Sequence, residues 1–445
     1  MFALRDKRYI KAISGLVASH SQRYSSMVFV NISPRVALVD EKVSITVSGL
    51  RPQQPVTVKV WVEEGKAVFS SCGHFLANQQ GQVNAAQHAS LGGTYRGVDR
   101  MGLIWSMKPV PGISKNPLLR KRDVTTPLVL KLSVIDGHVP LDDLHVDSTV
   151  VLATDELERW YKHRTVRRIV VREGSLRGAL FFPAGEGPFP GVVDMIGITG
   201  GLAEFRAALM ASRGFVCFAL AYLGYDDLPT AVTDIDFDYF LNAVNWLASH
   251  PDVQPGGIGV VGNCKGGELA FLLGMSTDKV KVLVNLSGIP MYSLADLQKS
   301  GQCFWKGFKL NERKIIPGDE GVTLKNSFSY DNEIIPAWAN NAKILYLCGE
   351  NDDVWRTDFA HTFVETCPEE KRKNIELIIY PGAGHEIEPP YTPLMTSFVS
   401  KTLGMTIAMG GQPEAHAAAQ EDAWKRLLHF LHKHLPQKHH TTSRL

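Results

Sequence analysis

The stretch that most constrains this chain is Gly262-Asn263-Cys264-Lys265-Gly266-Gly267. A strand-like run, Gly257-Ile258-Gly259-Val260-Val261, leads into it. A helix-like run, Glu268-Leu269-Ala270-Phe271-Leu272-Leu273, leads out. Strand, glycine-flanked turn and helix in that order is the pattern of a nucleophile elbow, usually written G-x-S-x-G. Here Cys264 stands where serine would be. The glycines have a steric reason: the nucleophile sits on a strained turn, and side chains two residues to either side would collide with strand and helix. The helix N-terminus then aims free N–H groups and the positive end of its dipole at the site. That favours a thiolate on Cys264 and an oxyanion beside it. The motif alone also fits a buried structural cysteine in a tight turn, so its partners matter.

An elbow nucleophile needs a base, and an acid that orients the base. The chain order in such folds is nucleophile, acid, histidine. The strand-like run 343–347 is followed by Gly349-Glu350-Asn351-Asp352-Asp353. Asp352, three residues past the glycine, takes the place of the acid, with Asp353 as the fallback. The strand-like run 375–380 is followed by Pro381-Gly382-Ala383-Gly384-His385-Glu386, and His385 takes the place of the base. The oxyanion hole is expected at the backbone N–H of Lys265 and at a second donor in the loop Gly197-Ile198-Thr199-Gly200-Gly201, for which Ile198 is the choice. The Lys265 side chain reads as a solvated lysine at a helix start.

The predicted fold is α/β: an α/β-hydrolase doubly wound sheet preceded by an N-terminal antiparallel β-sandwich. Residues 27–153 read as an Ig-like sandwich, because Val56, Val58, Val60 and Val62 alternate with Thr57, Lys59 and Trp61 at the period of a half-buried strand. Residues 154–168 read as a charged linker. Its Arg159, Lys162, Arg164, Arg167 and Arg168 suggest a solvated face rather than an anion site. Residues 169–436 read as the catalytic domain. A hairpin (168–171 with 176–182) opens it, and strands then alternate with helices over 202–212 and 233–249. Between 290 and 336 the alternation lapses. That stretch, with Phe304, Trp305 and Phe308, reads as a lid. His74 and His88 read as surface or hydrogen-bonded residues.

The chain of 445 residues carries a formal charge of +2, and nothing in that balance suggests a nucleic-acid partner. No run is apolar for long enough to span a membrane. Six scattered cysteines without a C-x-x-C pair argue against a disulfide scaffold and for a reducing compartment. No residue set reads as a metal site. The histidines His429, His432, His434, His439 and His440 are the candidate, and the first three fit one face of an amphipathic helix better. Residues 1–26 hold Arg5, Lys7, Arg8, Lys11 and Arg23 against one acid, Asp6, as a mitochondrial presequence does. Residues 437–445 end in Ser443-Arg444-Leu445, a variant of the S-K-L peroxisomal signal. The expected address is the peroxisome, through its import receptor, with the mitochondrial matrix or cytosol as alternatives.

A resemblance is carried by Leu103-Ile104-Trp105, Lys121-Arg122-Asp123-Val124, Asp136-Gly137-His138 and Gly200-Gly201. It continues through 219–228, Cys264-Lys265-Gly266-Gly267-Glu268-Leu269, 380–391, Gly410-Gly411, His416-Ala417 and Asp422-Ala423-Trp424-Lys425. From about residue 30 to 435 the chain resembles the acyl-CoA thioesterase / bile acid-CoA:amino acid N-acyltransferase family. The resemblance implies a β-sandwich ahead of an α/β-hydrolase domain, with a Ser or Cys–Asp–His triad falling on Cys264, Asp352 and His385. It implies acyl-CoA as substrate and no further cofactor. Conjugating members carry cysteine at the elbow and hydrolysing members mostly serine. Cys264 and residues 380–385 and 417–420 are similar to the conjugating branch, whereas Lys265-Gly266-Gly267-Glu268-Leu269 is similar to the hydrolases. A thioester on Cys264 reacts readily with amines. Transfer to glycine or taurine is the expectation, with hydrolysis by water as the alternative. A dienelactone-hydrolase-like enzyme and a non-catalytic acyl-binding protein are the readings from other classes.

Overall fold

The computed structural model describes residues 27–114, 118–145, 149–328, 333–387 and 389–436. Both terminal signals, residues 1–26 and 437–445 with His439 and His440, lie outside the described residues.

The N-terminal part is two facing sheets. One has six strands in the order Val36–Leu38, Val151–Trp160, Leu128–Asp136, Pro55–Glu64, Ala67–Leu76 and Lys108–Pro109. The other has three, in the order Phe29–Ser33, Ser44–Ser48 and Val83–Asn84. Alternation along Pro55–Glu64 buries Val56, Val58, Val60 and Val62 while Lys59 and Trp61 stay half-exposed, the pattern of a strand with one face on a core. All pairs are antiparallel except Val36–Leu38 with Val151–Trp160, which run parallel.

The charged stretch expected as a linker corrects one reading. Its first part, to Trp160, is the end of a strand paired along its length with Leu128–Asp136. Period two explains this: Leu157 and Arg159 point inward while Glu156, Glu158 and Trp160 do not. Arg159 is 2% exposed, and its guanidinium donates to the carbonyls of Val39 and Glu41. Arg168 pairs with Glu204, and Arg167 lies over the ring of Phe182.

The second part is an eight-stranded sheet. Its strands are β1 (Arg167–Glu173), β2 (Leu176–Phe182), β3 (Gly191–Met195), β4 (Val216–Ala221), β5 (Ile258–Asn263), β6 (Val280–Leu286), β7 (Lys343–Gly349) and β8 (Ile375–Tyr380), in spatial order β1-β2-β4-β3-β5-β6-β7-β8. The β1–β2 hairpin and the β2–β4 pair are antiparallel, and the rest are parallel. The helices of eight residues or more are α1 (Phe205–Ser212), α2 (Phe237–Ala248), α3 (Lys265–Ser276), α4 (Asp358–Thr366) and α5 (Pro413–His434). Side chains alternate across the sheet. Val192, Val284 and Leu345 join the core with α1 and α5, while Val193, Leu283 and Ile344 join the core with α2, α3 and α4. A sheet covered on both faces requires this apolar content on both sides.

Two helices start later than their apolar patterns suggest. Gly200 and Gly201 both have positive φ, so the chain turns before α1 begins at Phe205. Asp236 accepts from the N–H of Asp238 at 2.8 Å and caps α2, leaving Val232–Asp234 as a separate 3₁₀ turn.

The stretch read as a lid has structure of its own. Leu297–Lys299 and Gln302–Trp305 form a hairpin. Ile316–Gly318 and Gly321–Thr323 join Ser397–Ser400 and Met405–Ala408 in a four-stranded sheet. Phe308, Leu324 and Phe328 form a buried cluster with Trp355, Met395 and Met409, next to the loop that carries Asp352.

The N-terminal sheets are fastened to the second part at Asp40. Its Oδ2 accepts from Arg213 Nε at 2.8 Å and from Trp424 Nε1 at 2.9 Å. His74 and His138 stack and bond the carbonyls of Val139 and Phe75, and His88 Nδ1 accepts from the N–H of Asn84.

Candidate active site

Cys264 sits between β5 and α3 with φ +53° and ψ −117°, a conformation strained for any residue with a Cβ. The turn closes because its flanks are glycine. A Cβ on Gly262 would lie 2.1 Å from the carbonyl oxygen of Gly266, and one on Gly266 would lie 2.5 Å from that of Met195. Cys264 is half-buried, Cys303 is exposed, and the other four cysteines are buried. The carbonyl of Cys264 already takes the N–H groups of Gly267 and Glu268. The N–H of Lys265, first in α3, has no acceptor within its helix.

The loop after β3 passes directly beside the thiol. A Cβ on Gly197 would lie 3.0 Å from Cys264 Cβ and 3.4 Å from Sγ. Buried Tyr222 donates its hydroxyl to the carbonyl of Ile196 at 2.6 Å and lies 3.1 Å from that of Gly197, holding the loop from behind. Ile198 follows, its side chain against the α2–α3 core.

His385 is 1% exposed and near enough to Cys264 for the charge there to act on its titration. Its Nδ1 lies 2.7 Å from Asp352 Oδ2. The other oxygen of Asp352 accepts the N–H groups of Val354 at 2.6 Å and Trp355 at 3.0 Å, so the carboxylate is fixed at both ends. Burial opposes charge on His385. The neighbouring Asp352 and Cys264 outweigh it, and the imidazole pKa is raised well above its ordinary value. Asp353 turns away to Lys325 Nζ, 2.9 Å distant. The structure thus brings Cys264, His385 and Asp352 together and leaves Asp353 outside the group.

Lys265 corrects a second reading. Its side chain is 1% exposed, not solvated. Nζ lies 2.8 Å from Glu268 Oε2, donates to the carbonyl of Ser293, and stands 3.3 Å from the centroid of the Tyr292 ring. Glu268 also accepts from the N–H and hydroxyl of Ser293. Burial lowers the pKa of Lys265 and raises that of Glu268. The i, i+3 spacing of the two residues signals a pair on one helix face. Nothing local shows that residues 292–293 cover it. His416, which meets the backbone on both sides of His385, has partners that are main-chain atoms and leave no sequence signal.

Two of the histidines near the end of α5 are engaged elsewhere. His432 Nε2 donates to the carbonyl of Arg213 and its ring lies against Phe215, while His434 lies against Phe430. No described helix is long and apolar enough to cross a membrane.

The sheet order, the strained turn at Cys264 and the strand-end loops bearing Asp352 and His385 define an α/β-hydrolase, and the chain is an enzyme of that fold. Residues 40–173 match the family model described as the acyl-CoA thioester hydrolase/BAAT N-terminal region. Residues 235–437 match that described as BAAT / acyl-CoA thioester hydrolase C terminal. The chain is 37% identical over 418 residues to mouse mitochondrial acyl-coenzyme A thioesterase 2, covering 90% of this chain and 87% of the relative. It is 36% identical over 415 residues to mouse acyl-coenzyme A amino acid N-acyltransferase 1, covering 92% and 99%. It is 38% identical over 412 residues to human acyl-coenzyme A thioesterase 1, covering 89% and 94%. The chain therefore belongs to the acyl-CoA thioesterase / bile acid-CoA:amino acid N-acyltransferase family.

Proposed function

We propose that the protein cleaves acyl-CoA thioesters through a Cys264 acyl-enzyme and passes the fatty or bile acyl group to the amine of glycine or taurine. The observation that carries the reading is the buried His385, bonded through Nδ1 to Asp352 at 2.7 Å and set beside Cys264, on an elbow with cysteine in place of serine. His385 takes the proton from Cys264 Sγ, and the thiolate attacks the acyl carbonyl carbon. The oxyanion lies between the N–H of Lys265 and a donor in the Gly197–Ile198 loop, Ile198 being our assignment. The carbon–sulfur bond to CoA breaks, and CoA leaves with the proton from His385. An amine then attacks the Cys264 thioester and gives its proton to His385. The bond to Cys264 breaks, and the proton returns to the thiolate. Asp352 keeps the tautomer of His385 fixed throughout. Every step uses groups of the protein and its substrates.

Hydrolysis is the second reading, because two of the three relatives are named thioesterases. Water then takes the place of the amine, with the same groups in the same roles. Product analysis decides between the two: acyl-CoA is incubated with the enzyme, with and without glycine or taurine, and conjugate and free acid are quantified. Conjugate formation supports transfer. Free acid alone, whatever amine is supplied, leaves a cysteine-dependent thioesterase.

The domain boundaries we propose are a β-sandwich extending to Trp160 and a catalytic domain from β1 to the end of α5. We also propose that Ser443-Arg444-Leu445 directs the protein to peroxisomes. A fusion lacking those three residues should lose peroxisomal import. Mitochondrial import of both the intact and truncated fusions would assign the address to residues 1–26 instead.

A further inference from the structure

His416 lies in the first turn of α5 and is 1% exposed. Its Nδ1 accepts from the N–H of Gly384 at 3.1 Å, and its Nε2 lies 3.0 Å from the carbonyl oxygen of Glu386. Those two peptide groups flank His385. The tautomer follows from the partners: an amide N–H requires a bare Nδ1, so Nε2 carries the hydrogen and donates to the carbonyl. Burial lowers the His416 pKa to about 4, and both bonds require the neutral ring. The rest of the loop is held by the N-cap of α5 and by the chain just before it. The N–H of Gln412 donates to the carbonyl of Gly382 at 2.8 Å, and that of His385 to the carbonyl of Met409 at 2.9 Å. The loop has no spare room, since a Cβ on Gly384 would lie 2.3 Å from the carbonyl oxygen of Gly410.

We propose that His416 is a positioning residue for the reaction, clamping the main chain on both sides of His385 so that the imidazole meets Cys264 and Asp352 together. The inference rests on the reading of His385 as the base. Without the His416 ring, a buried N–H and a buried carbonyl lose their partners, and such groups force a loop to move. A displacement of about 1 Å at a reacting group lowers turnover on the order of 10²-fold. Substrate affinity should change little, because the His416 ring is 1% exposed and its partners are main-chain atoms.

The test uses full-length His416→Ala, His416→Asn and His416→Gln proteins with acyl-CoA. The Asn oxygen stands in for Nδ1 and retains the bond from Gly384. The Gln nitrogen stands in for Nε2 and retains the bond to Glu386. We expect kcat of His416→Ala to fall about 10²-fold with KM within about twofold, and Asn and Gln each to recover part of the loss. The low-field proton resonance of the His385–Asp352 hydrogen bond, identified by its absence from His385→Ala, should shift or broaden in His416→Ala. Wild-type kcat and an unchanged resonance in folded His416→Ala would overturn the inference. So would a loss of kcat with the resonance unmoved and no recovery by Asn or Gln, which marks a purely structural residue. Should His416→Ala not fold, reduced kcat at unchanged KM in both other variants supports the clamp, and a wild-type rate in either one overturns it. Full turnover by His385→Ala would instead remove the base assignment on which the inference stands.

Discussion

Asp352 and Asp353 are neighbours in sequence and face opposite ways: the first meets His385 Nδ1 at 2.7 Å, the second Lys325 Nζ at 2.9 Å. The difference comes from the backbone after β7, where the N–H groups of Val354 and Trp355 both donate to Asp352 Oδ1 and set its direction. Replacing Asp352 by Asn should leave the fold intact and lower kcat by about 10²–10⁴-fold, through loss of the correct imidazole tautomer. Asp353→Asn should stay within a few-fold of wild type, since its partner is a half-exposed lysine. Steady-state kinetics on the two variants check this, and the opposite ranking would make Asp353 the orienting acid.

The Lys265–Glu268 pair should show strong coupling. Both side chains are at most 1% exposed. Removing one partner leaves a buried charge with no counterpart, which costs about 3–5 kcal/mol. Lys265→Met alone should therefore destabilise the protein by about that much. Lys265→Met with Glu268→Gln should recover a substantial part. Denaturant unfolding of wild type, both single variants and the double variant gives the coupling directly. Additive losses would show that the pair is already partly neutral.

A pH effect follows from His416. Its pKa drops from 6.5 in the unfolded chain to about 4 in the fold because burial opposes the charged ring. Between those values the unfolded chain binds the extra proton, so stability rises with pH across that window. The contribution is fully present above 6.5 and is lost as pH falls towards 4, by about 3 kcal/mol in all. His385 has the opposite sign: its pKa is raised, so its contribution is present at low pH and fades as pH rises through its folded value. Unfolding free energies at pH 7 and pH 4.5 should thus diverge more for wild type than for His416→Asn, which has no titrating ring at that position. Equal divergence would remove His416 as the source.

On the proposed mechanism, Cys264→Ser exchanges sulfur for oxygen at the acyl-enzyme. The elbow accepts serine sterically, since serine is slightly smaller. The intermediate becomes an ester, which reacts less readily with amines. Acylation should slow, because the hydroxyl depends wholly on His385 for activation. The ratio of conjugate to free acid should fall at fixed glycine or taurine and fixed acyl-CoA. Chromatographic quantification of both products measures it, and an unchanged ratio would mean that the acceptor is chosen by the pocket and not by the nucleophile.

Much of the candidate site is legible because Cys264, Asp352 and His385 each sit at a strand end with a local signature. The glycines around Cys264 and the glycine-rich loop before His385 are such signatures, and their spacing from apolar runs places them on one sheet edge. The surroundings were less legible because their partners are distant in sequence. Arg159 reads as part of a solvated charge run, yet it is buried and its Nη2 donates to carbonyls 120 and 118 residues away. Lys265 looked like a solvated helix-start lysine until Tyr292 and Ser293 covered it. The four-stranded sheet joins residues 316–323 to 397–408, a pairing with no local pattern to announce it. The starts of α1 and α2 were missed for a different reason: apolar periodicity runs past a positive-φ glycine pair and an aspartate cap without registering them.

The apolar core of the N-terminal sheets does not end at the sheet that carries Cys264. One continuous cluster runs from Ile45 and Leu132 through Tyr161, Phe205 and Leu209 to Trp424 and Leu431. Cutting the chain after Tyr161 would therefore bare oily surface on both fragments, and each would tend to associate with itself or with other proteins. The two parts share one apolar core. A front half taken from another chain would have to fit the faces that α1 and α5 present to it, since Phe205, Leu209, Trp424 and Leu431 belong to the shared core.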